Sequence, residues 1–225
     1  MKEQQKKYEL TDEFIVHWSG KKLYRIRALV AFGAVAAGQL GGFVESEKNL
    51  DQSLSGSAWV YGNAQVYGYA QVYGNAQVYG NAKVCGDAQV YGYAKVCGDA
   101  QVYGYAKVYG YAKVYGNAQV YGYAKVYGNA QVCGDAWVYG NAWVRSYAVI
   151  LERKMIFWAS NVGSENGTLT VFNGKDGLIV TRGCFTGTVD EFLAKSAEVH
   201  DDKTKNEYKL LIEVAKSRIL GVKDE

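Results

Sequence analysis

The chain has 225 residues and a formal net charge of +3, with 49% hydrophobic and 21% charged residues. These values exclude a disordered chain and do not require a nucleic-acid or strongly acidic partner. Residue usage is far from average, with 20 Tyr, 27 Gly and no Pro, which indicates a short repeat. The longest apolar run, residues 28–37, is too short to span a bilayer, so we expect a soluble, unexported, cytoplasmic protein without a membrane partner.

Residues 1–53 are predicted to form an N-terminal β cap. Polar and apolar residues alternate from Lys22 to Ala28, which is the pattern of a half-buried strand. A glycine-rich turn around Gly41 and the apolar pair Phe43 and Val44 follow. We therefore expect two short strands and a turn that lead into the next segment.

Residues 54–151 have a six-residue period. Ala recurs at every sixth position from Ala58 to Ala148, and Val does so from Val60 to Val144, with Ile150 closing the series. Because Ala and Val are two residues apart, both point to one side of an extended chain, while the residue between them and the Tyr that usually follows Val point to the other side. The Gly after that Tyr predicts a corner. A period of six excludes an amphipathic helix, so short strands must stack to bury their apolar side.

Residues 152–225 predict a small α+β domain that consists of a hairpin and two helices. Thr188 and Glu191 have the spacing of a capping box, which marks the start of the first helix. The predicted elements are a strand over residues 154–158, a hairpin of residues 168–172 and 178–182, a helix over about 189–199 and a helix over 206–219.

The repeat resembles the hexapeptide-repeat proteins, which form a left-handed parallel β-helix. The resemblance covers roughly residues 54–151, over sixteen consecutive repeats. In that family three hexapeptides form one triangular coil, which implies that residue i lies beneath residue i+18, that coils are about 4.8 Å apart and that this chain has about five coils. The flanking segments 23–29, 41–50, 163–168 and 183–187 look like those of an uncharacterised group from bacterial genomes and prophages whose members are often labelled acyltransferases.

The resemblance raises the question of acyl transfer. Acyltransferases of this family use a histidine as general base in a cleft between subunits. The repeat contains no histidine, and the only two in the chain are His17 and His200. We therefore predict a non-enzymatic binding or scaffolding protein and assign no catalytic residue. An acyltransferase that uses residues of the terminal domains is the alternative.

The cysteines do not predict a metal site. With eighteen residues in a coil, Cys97 and Cys133 share a column but stand two coils apart, about 10 Å, and Cys85 lies on another face. This distance excludes a disulfide and a shared ion, so we predict no metal and no cofactor. Cys184 is predicted to be a buried filler.

Two groups of residues are candidate ligand-binding sites. In the repeat, Lys107 and Lys125 lie one coil apart, beside Tyr109 and Tyr127, where they form either a solvated face or a site for an anionic, planar ligand such as a nucleotide. The second group comes from the terminal segments and depends on folding to bring its members together: Arg25, Arg27, Glu165, Asn166 and Arg182. Lysines and aspartates are mixed along the repeat, so a nucleic-acid partner is not expected.

The tyrosine columns also bear on assembly. Stacked tyrosines either stiffen the prism or form an interface. Proteins of the resembled family are typically parallel trimers. We therefore expect a homotrimer that binds a small anionic metabolite or nucleotide in the clefts between subunits.

Overall fold

The computed structural model describes residues 5–221. Within this range the chain forms a parallel β-solenoid, with an antiparallel strand pair at its N-terminal end and a small sheet with two helices at its C-terminal end. The N-terminal strands are β1 (Tyr8–Val16), β2 (Lys22–Ala28) and β3 (Leu40–Val44).

The repeat forms two-residue strands, each made of the Val and the residue before it. Ala and Val are buried at every coil, and they fill the interior of the solenoid as the six-residue pattern predicts. The strands are β4 (Trp59–Val60), β5 (Gln65–Val66), β6 (Gln71–Val72), β7 (Gln77–Val78), β8 (Lys83–Val84), β9 (Gln89–Val90), β10 (Lys95–Val96), β11 (Gln101–Val102), β12 (Lys107–Val108), β13 (Lys113–Val114), β14 (Gln119–Val120), β15 (Lys125–Val126), β16 (Gln131–Val132), β17 (Trp137–Val138), β18 (Trp143–Val144) and β19 (Val149–Ile150).

These strands form three parallel sheets, which are the three faces of the solenoid. Face I is β3-β5-β8-β11-β14-β17, face II is β6-β9-β12-β15-β18, and face III is β4-β7-β10-β13-β16-β19. Lys107 pairs with Lys125 on face II, and Lys95 pairs with Lys113 on face III, which confirms the eighteen-residue spacing. The left-handed sense of the coil stays a prediction.

The solenoid has about six turns, where about five were predicted. The additional turn comes from residues before the repeat. Phe43 and Val44 of β3 pair in parallel with Gln65 and Val66, and Leu50 forms a parallel bridge with Val72. The chain therefore completes a coil without the hexapeptide pattern, which the period could not reveal.

The N-terminal end of the solenoid is closed by buried side chains. The Lys7 ammonium lies 3.4 Å from the Gly56 carbonyl oxygen and 3.3 Å from that of Ala58, and burial lowers the pKa of Lys7. The Tyr8 hydroxyl donates to the Leu50 carbonyl oxygen at 2.7 Å. These contacts satisfy carbonyl groups that an open solenoid end would leave unpaired.

The C-terminal segment forms an antiparallel sheet and two helices around a second core. Its elements are β20 (Ile156–Val162), β21 (Gly167–Gly174), β22 (Gly177–Arg182), β23 (Phe185–Thr188), α1 (Val189–Val199) and α2 (Asp202–Leu220). The hairpin and the Thr188–Glu191 capping box are confirmed. The strand predicted over residues 154–158 begins and ends later, because residues 153–155 form a short 3-10 turn. Helix α2 begins earlier than predicted, because the Asp201 side chain caps it.

The C-terminal sheet packs against the last coil of face II. The Trp143 N–H donates to Thr170 Oγ1 at 3.2 Å, and Thr181 Oγ1 donates to the Trp143 carbonyl oxygen at 2.9 Å. Two strands of the sheet thus continue the hydrogen bonding that β18 would otherwise offer to a further coil.

Two further observations concern the chain as a whole. Cys184 is exposed, so its prediction as a buried filler was wrong; it lies in the turn between β22 and β23. All four cysteines are free thiols. Within residues 5–221, neither helix combines the length and hydropathy needed to cross a membrane.

Candidate binding groove

The outward residues of face II form three parallel columns. The floor consists of the residues between Ala and Val: Gln71, Gln89, Lys107, Lys125 and Trp143. The first wall consists of the residues before Ala: Tyr69, Asp87, Tyr105, Tyr123 and Asn141. The second wall consists of the residues after Val: Tyr73, Tyr91, Tyr109, Tyr127 and Arg145.

A groove of about 840 Å³ runs along the floor and the first wall. Its C-terminal end is formed by Gly167, Thr168, Arg182 and Gly183 of the small sheet. The hydrogen bonds between that sheet and Trp143 hold this end in place. The groove therefore has a defined end, which a regular solenoid face lacks.

Two lysines and one arginine lie along this groove. Lys107 and Lys125 are one coil apart on the floor, as predicted from the sequence. The Lys125 ammonium lies 4.3 Å from the centroid of the Trp143 ring, a cation–π contact that directs it towards the C-terminal end. Neither lysine forms an ion pair with any carboxylate of residues 5–221.

Arg182 is held more firmly than the lysines. Its Nε donates to the Tyr208 hydroxyl at 3.0 Å and its Nη2 donates to the Val162 carbonyl oxygen at 3.3 Å. A Cβ at Gly167 would lie 2.4 Å from Nη1, so glycine at this position makes room for the guanidinium. Nη1 donates to no atom of the part of the chain that the structure describes. The arginine thus presents a fixed positive charge with unused N–H donors.

Tyr109 and Tyr127 belong to the second wall and lie outside the lining of the groove. Their ring centroids are 4.7 Å apart with planes inclined by 3°, and Tyr91 stacks on Tyr109 at 4.9 Å. The pKa of Tyr109 is raised to about 12, mainly by burial and to a smaller extent by the neighbouring Tyr127 and Tyr91. Because each ring covers the face of the next, this wall offers ring edges and hydroxyls to a ligand instead of open ring faces.

The second predicted group of residues is not brought together. Arg25 and Arg27 lie on β2 at the N-terminal end, where Arg25 Nε donates to Glu13 at 2.7 Å and Arg27 pairs with Glu9. Arg182 lies at the opposite end of the solenoid. The intervening coils separate the two ends.

Glu165 and Asn166 lie at that C-terminal end, in the exposed turn between β20 and β21. The backbone N–H of Asn166 donates to the Gly163 carbonyl oxygen at 3.2 Å. Of the second group, Arg182 alone lines the groove, while Glu165 and Asn166 directly precede the lining residue Gly167.

Several lining residues were not identified from the sequence. Tyr69, Asp87, Tyr105 and Tyr123 occupy the position before Ala, which the sequence interpretation treated only as a corner. The eighteen-residue spacing places them in one column, so the signal was present in the repeat.

The two histidines do not line the groove. His17 Nδ1 is hydrogen-bonded to Ser19 Oγ at 2.8 Å near the N-terminal end, and His200 caps the C-terminus of α1. The lining of this groove therefore includes no histidine.

Comparison with known families supports the solenoid. The model of the YdcK beta solenoid repeat matches residues 70–86, 76–92 and 130–146. Nothing among the curated proteins matches the chain. The similarity therefore concerns a repeat that forms a β-solenoid and covers only part of the chain.

Proposed function

We propose that this protein is a non-enzymatic β-solenoid that captures a small anionic ligand with a planar group, such as a nucleotide, in the groove of face II. The observation that carries the proposal is the set of three cations, Lys107, Lys125 and Arg182, along one groove that contains a single carboxylate, Asp87. None of the three cations has an ion-pair partner within residues 5–221.

The pairing register explains why an anion would be favoured there. Lys107 and Lys125 face each other across one rung of the parallel sheet, and like charges in that position repel. An anion that bridges them would remove this repulsion. Arg182 adds charge-assisted hydrogen bonds from a guanidinium that is already fixed, so little side-chain entropy is lost when a ligand binds.

Face III provides a natural comparison. It carries an equivalent lysine pair, Lys95 and Lys113, one coil apart. The groove over that pair is smaller, about 600 Å³, and no arginine lines it. If the groove of face II is the binding site, the two lysine pairs should respond differently to the same substitution.

The test is a thermal-shift titration with a panel of nucleoside phosphates at low salt. A ligand at 100 times its Kd stabilises the folded state by about 2.7 kcal/mol. For a chain of this size that corresponds to a rise in Tm of roughly 5–10 °C. The double variant Lys107→Gln, Lys125→Gln should lose most of this rise, and the matched variant Lys95→Gln, Lys113→Gln should keep it. Equal loss in both variants, or no stabilisation by any nucleotide, would refute the proposal.

We also propose that the chain assembles as a homotrimer, with the groove in the cleft between subunits. Support comes from tyrosines on two of the three corners: Tyr105 and Tyr123 are 53% and 61% exposed, and Tyr93 and Tyr111 are 53% and 60% exposed. Exposed aromatic area of this extent favours an interface. Light scattering after size exclusion should give three times the mass of the chain, and a monomer mass would refute assembly without affecting the groove.

The four free thiols fit a reducing compartment, and we propose a cytoplasmic location on that basis. Fractionation of the native host with a specific antibody tests it. Recovery outside the cytoplasm would contradict it.

A further inference from the structure

The first wall of the groove contains an interruption. Tyr105 and Tyr123 stack with centroids 5.0 Å apart and planes inclined by 4°. One coil before Tyr105 the column holds Asp87 instead of Tyr, and one coil before that it holds Tyr69. Tyr69 and Tyr105 are therefore two coils apart, about 10 Å, with a short side chain between them.

Tyr69, Asp87 and Tyr105 all border the groove of face II. Tyr69 is 82% exposed, the highest value among the exposed tyrosines of residues 5–221, because no ring stacks on it. This gap, with Tyr69 and Tyr105 one coil to either side and the Asp87 carboxylate between them, is the slot. Because the rings of this column stack about 5 Å apart, one aromatic ring of a ligand could take the place that a tyrosine at position 87 would occupy.

Comparison with the other aspartates of the repeat shows that Asp87 is exceptional. The segment Val-Cys-Gly-Asp-Ala occurs three times, at Asp87, Asp99 and Asp135. Asp99 accepts a hydrogen bond from Asn81, and Asp135 accepts one from Asn117, each at 3.1 Å from the coil before. The carboxylate of Asp87 accepts none from residues 5–221, because the adjacent positions in its column are tyrosines. Its local sequence is the same, so the difference comes from the coil register.

The chemistry of the slot restricts its occupant. An ionised carboxylate only accepts hydrogen bonds, so the edge of an inserted ring must donate them. Guanine has two adjacent donors on one edge, the ring N–H and the amino group, which match the two oxygens of a carboxylate. Adenine has a single amino group between acceptors. The column before Ala on face III is also interrupted, by Asn129 between Tyr111 and Tyr147, but an amide both donates and accepts and so does not select a donor edge.

We propose that the slot between Tyr69 and Tyr105 binds the base of a guanine nucleotide, with Asp87 accepting its N–H donors and Lys107 and Lys125 binding its phosphates. The inference rests on the proposed function and names the ligand class for the same groove. The distances agree: Lys107 is one coil and Lys125 two coils beyond the rung of Asp87, about 5 Å and about 10 Å along the floor. A nucleoside diphosphate spans such a distance between its base and its phosphates.

The experiment is isothermal titration of the full-length protein with GDP, ADP and inorganic pyrophosphate. The wild-type protein should bind GDP at least about 10-fold more tightly than ADP, the ratio expected from one bidentate pair. Asp87→Asn should weaken GDP binding about 10- to 100-fold and should not weaken pyrophosphate binding, because the lost carboxylate repels an anion. The matched control Asp99→Asn, which alters the same local sequence on another corner, should change neither affinity.

A second variant removes a ring instead of the carboxylate. Tyr69→Leu should weaken GDP and ADP binding about 5-fold or more, because one stacking face is lost, and should leave pyrophosphate binding unchanged. Tyr69 is largely exposed, so its replacement should not disturb folding, and urea unfolding of each variant verifies this.

The outcomes separate the two proposals. If GDP, ADP and pyrophosphate bind with equal affinity and all depend on Lys107 and Lys125, the slot proposal fails and the anion-binding function stands. If pyrophosphate and both nucleotides fail to bind, the proposed function fails and the slot proposal fails with it. A GDP preference that survives Asp87→Asn would overturn the role of the carboxylate.

Discussion

The corner glycines provide a direct test of coil stacking. Gly110 has φ +70°, where an alanine costs about 1–2 kcal/mol. A Cβ at Gly110 would also lie 3.0 Å from the Gly128 nitrogen and 3.3 Å from the Gly128 oxygen in the next coil. The Gly128 oxygen accepts the hydrogen bond of Tyr111 N at 2.8 Å, so pushing it away weakens a ladder bond worth about 0.5–1.5 kcal/mol. We therefore expect Gly110→Ala to lower the free energy of unfolding by about 2–3 kcal/mol.

Gly38 is the matched control because it isolates the dihedral cost. It has φ +83°, and a Cβ there would meet no atom within 4 Å. Gly38→Ala should cost about 1–2 kcal/mol, and the gain from restricting the unfolded chain is common to both variants. Urea unfolding, followed by circular dichroism, measures both free energies. If Gly110→Ala costs no more than Gly38→Ala, the coils are not packed as closely as this reasoning requires.

The sequence itself agrees with this view of the corners. The equivalent position in the last coil holds Ser146, a residue with a Cβ at φ +61°. No further coil stacks above Ser146, so its side chain has room. The left-handed backbone alone therefore does not exclude a Cβ at this position, and contact with the next coil adds a second constraint in the coils below.

Three further predictions concern charge and reactivity. Without an anion, Lys107→Gln with Lys125→Gln should change the unfolding free energy by less than about 0.5 kcal/mol or raise it, since exposed like charges are removed; a loss above about 1 kcal/mol would show that the lysines are structural. Burial raises the pKa of Tyr109 from 10.0 to about 12. The contribution of the protonated Tyr109 hydroxyl to the free energy of unfolding should therefore be complete below pH 10 and lost as the pH rises from 10 to about 12. Urea midpoints that stay constant over this interval would contradict this prediction. Cys184 is exposed, whereas Cys85 and Cys97 are half-buried and Cys133 is buried, so the native protein should show one fast thiol in a reagent assay, and Cys184→Ser should remove it; a fast phase that persists would place the reactive thiol elsewhere.

The repeat could be predicted from the sequence to the level of individual neighbours. Ala and Val at each sixth residue define the buried side, and once the coil length is eighteen the position of Lys107 beneath Lys125 follows by counting. This success has a physical cause. In a solenoid each coil contacts only the next, so local register determines the contacts.

The closed end of the groove could not be predicted in this way. Arg182 reaches face II because Thr170 and Thr181 bond to Trp143, which depends on how the C-terminal sheet packs as a unit. Its supposed partners Arg25 and Arg27 lie at the other end of a stiff solenoid. No local pattern encodes which terminal segment covers which face.

The regularity of the solenoid makes its irregular positions the informative ones. A face built of identical rungs would offer a ligand several equivalent sites, each weak because each has the same few contacts. Face II departs from regularity at Asp87 and again at its C-terminal end, and the groove of face III is lined by neither an aspartate nor an arginine. Binding that uses these departures must saturate near one ligand per chain. Binding by the lysine and tyrosine columns alone would saturate at several ligands per chain and would extend to face III. The stoichiometry of the nucleotide titration therefore distinguishes one specific site from weak binding along the whole solenoid surface, independently of affinity.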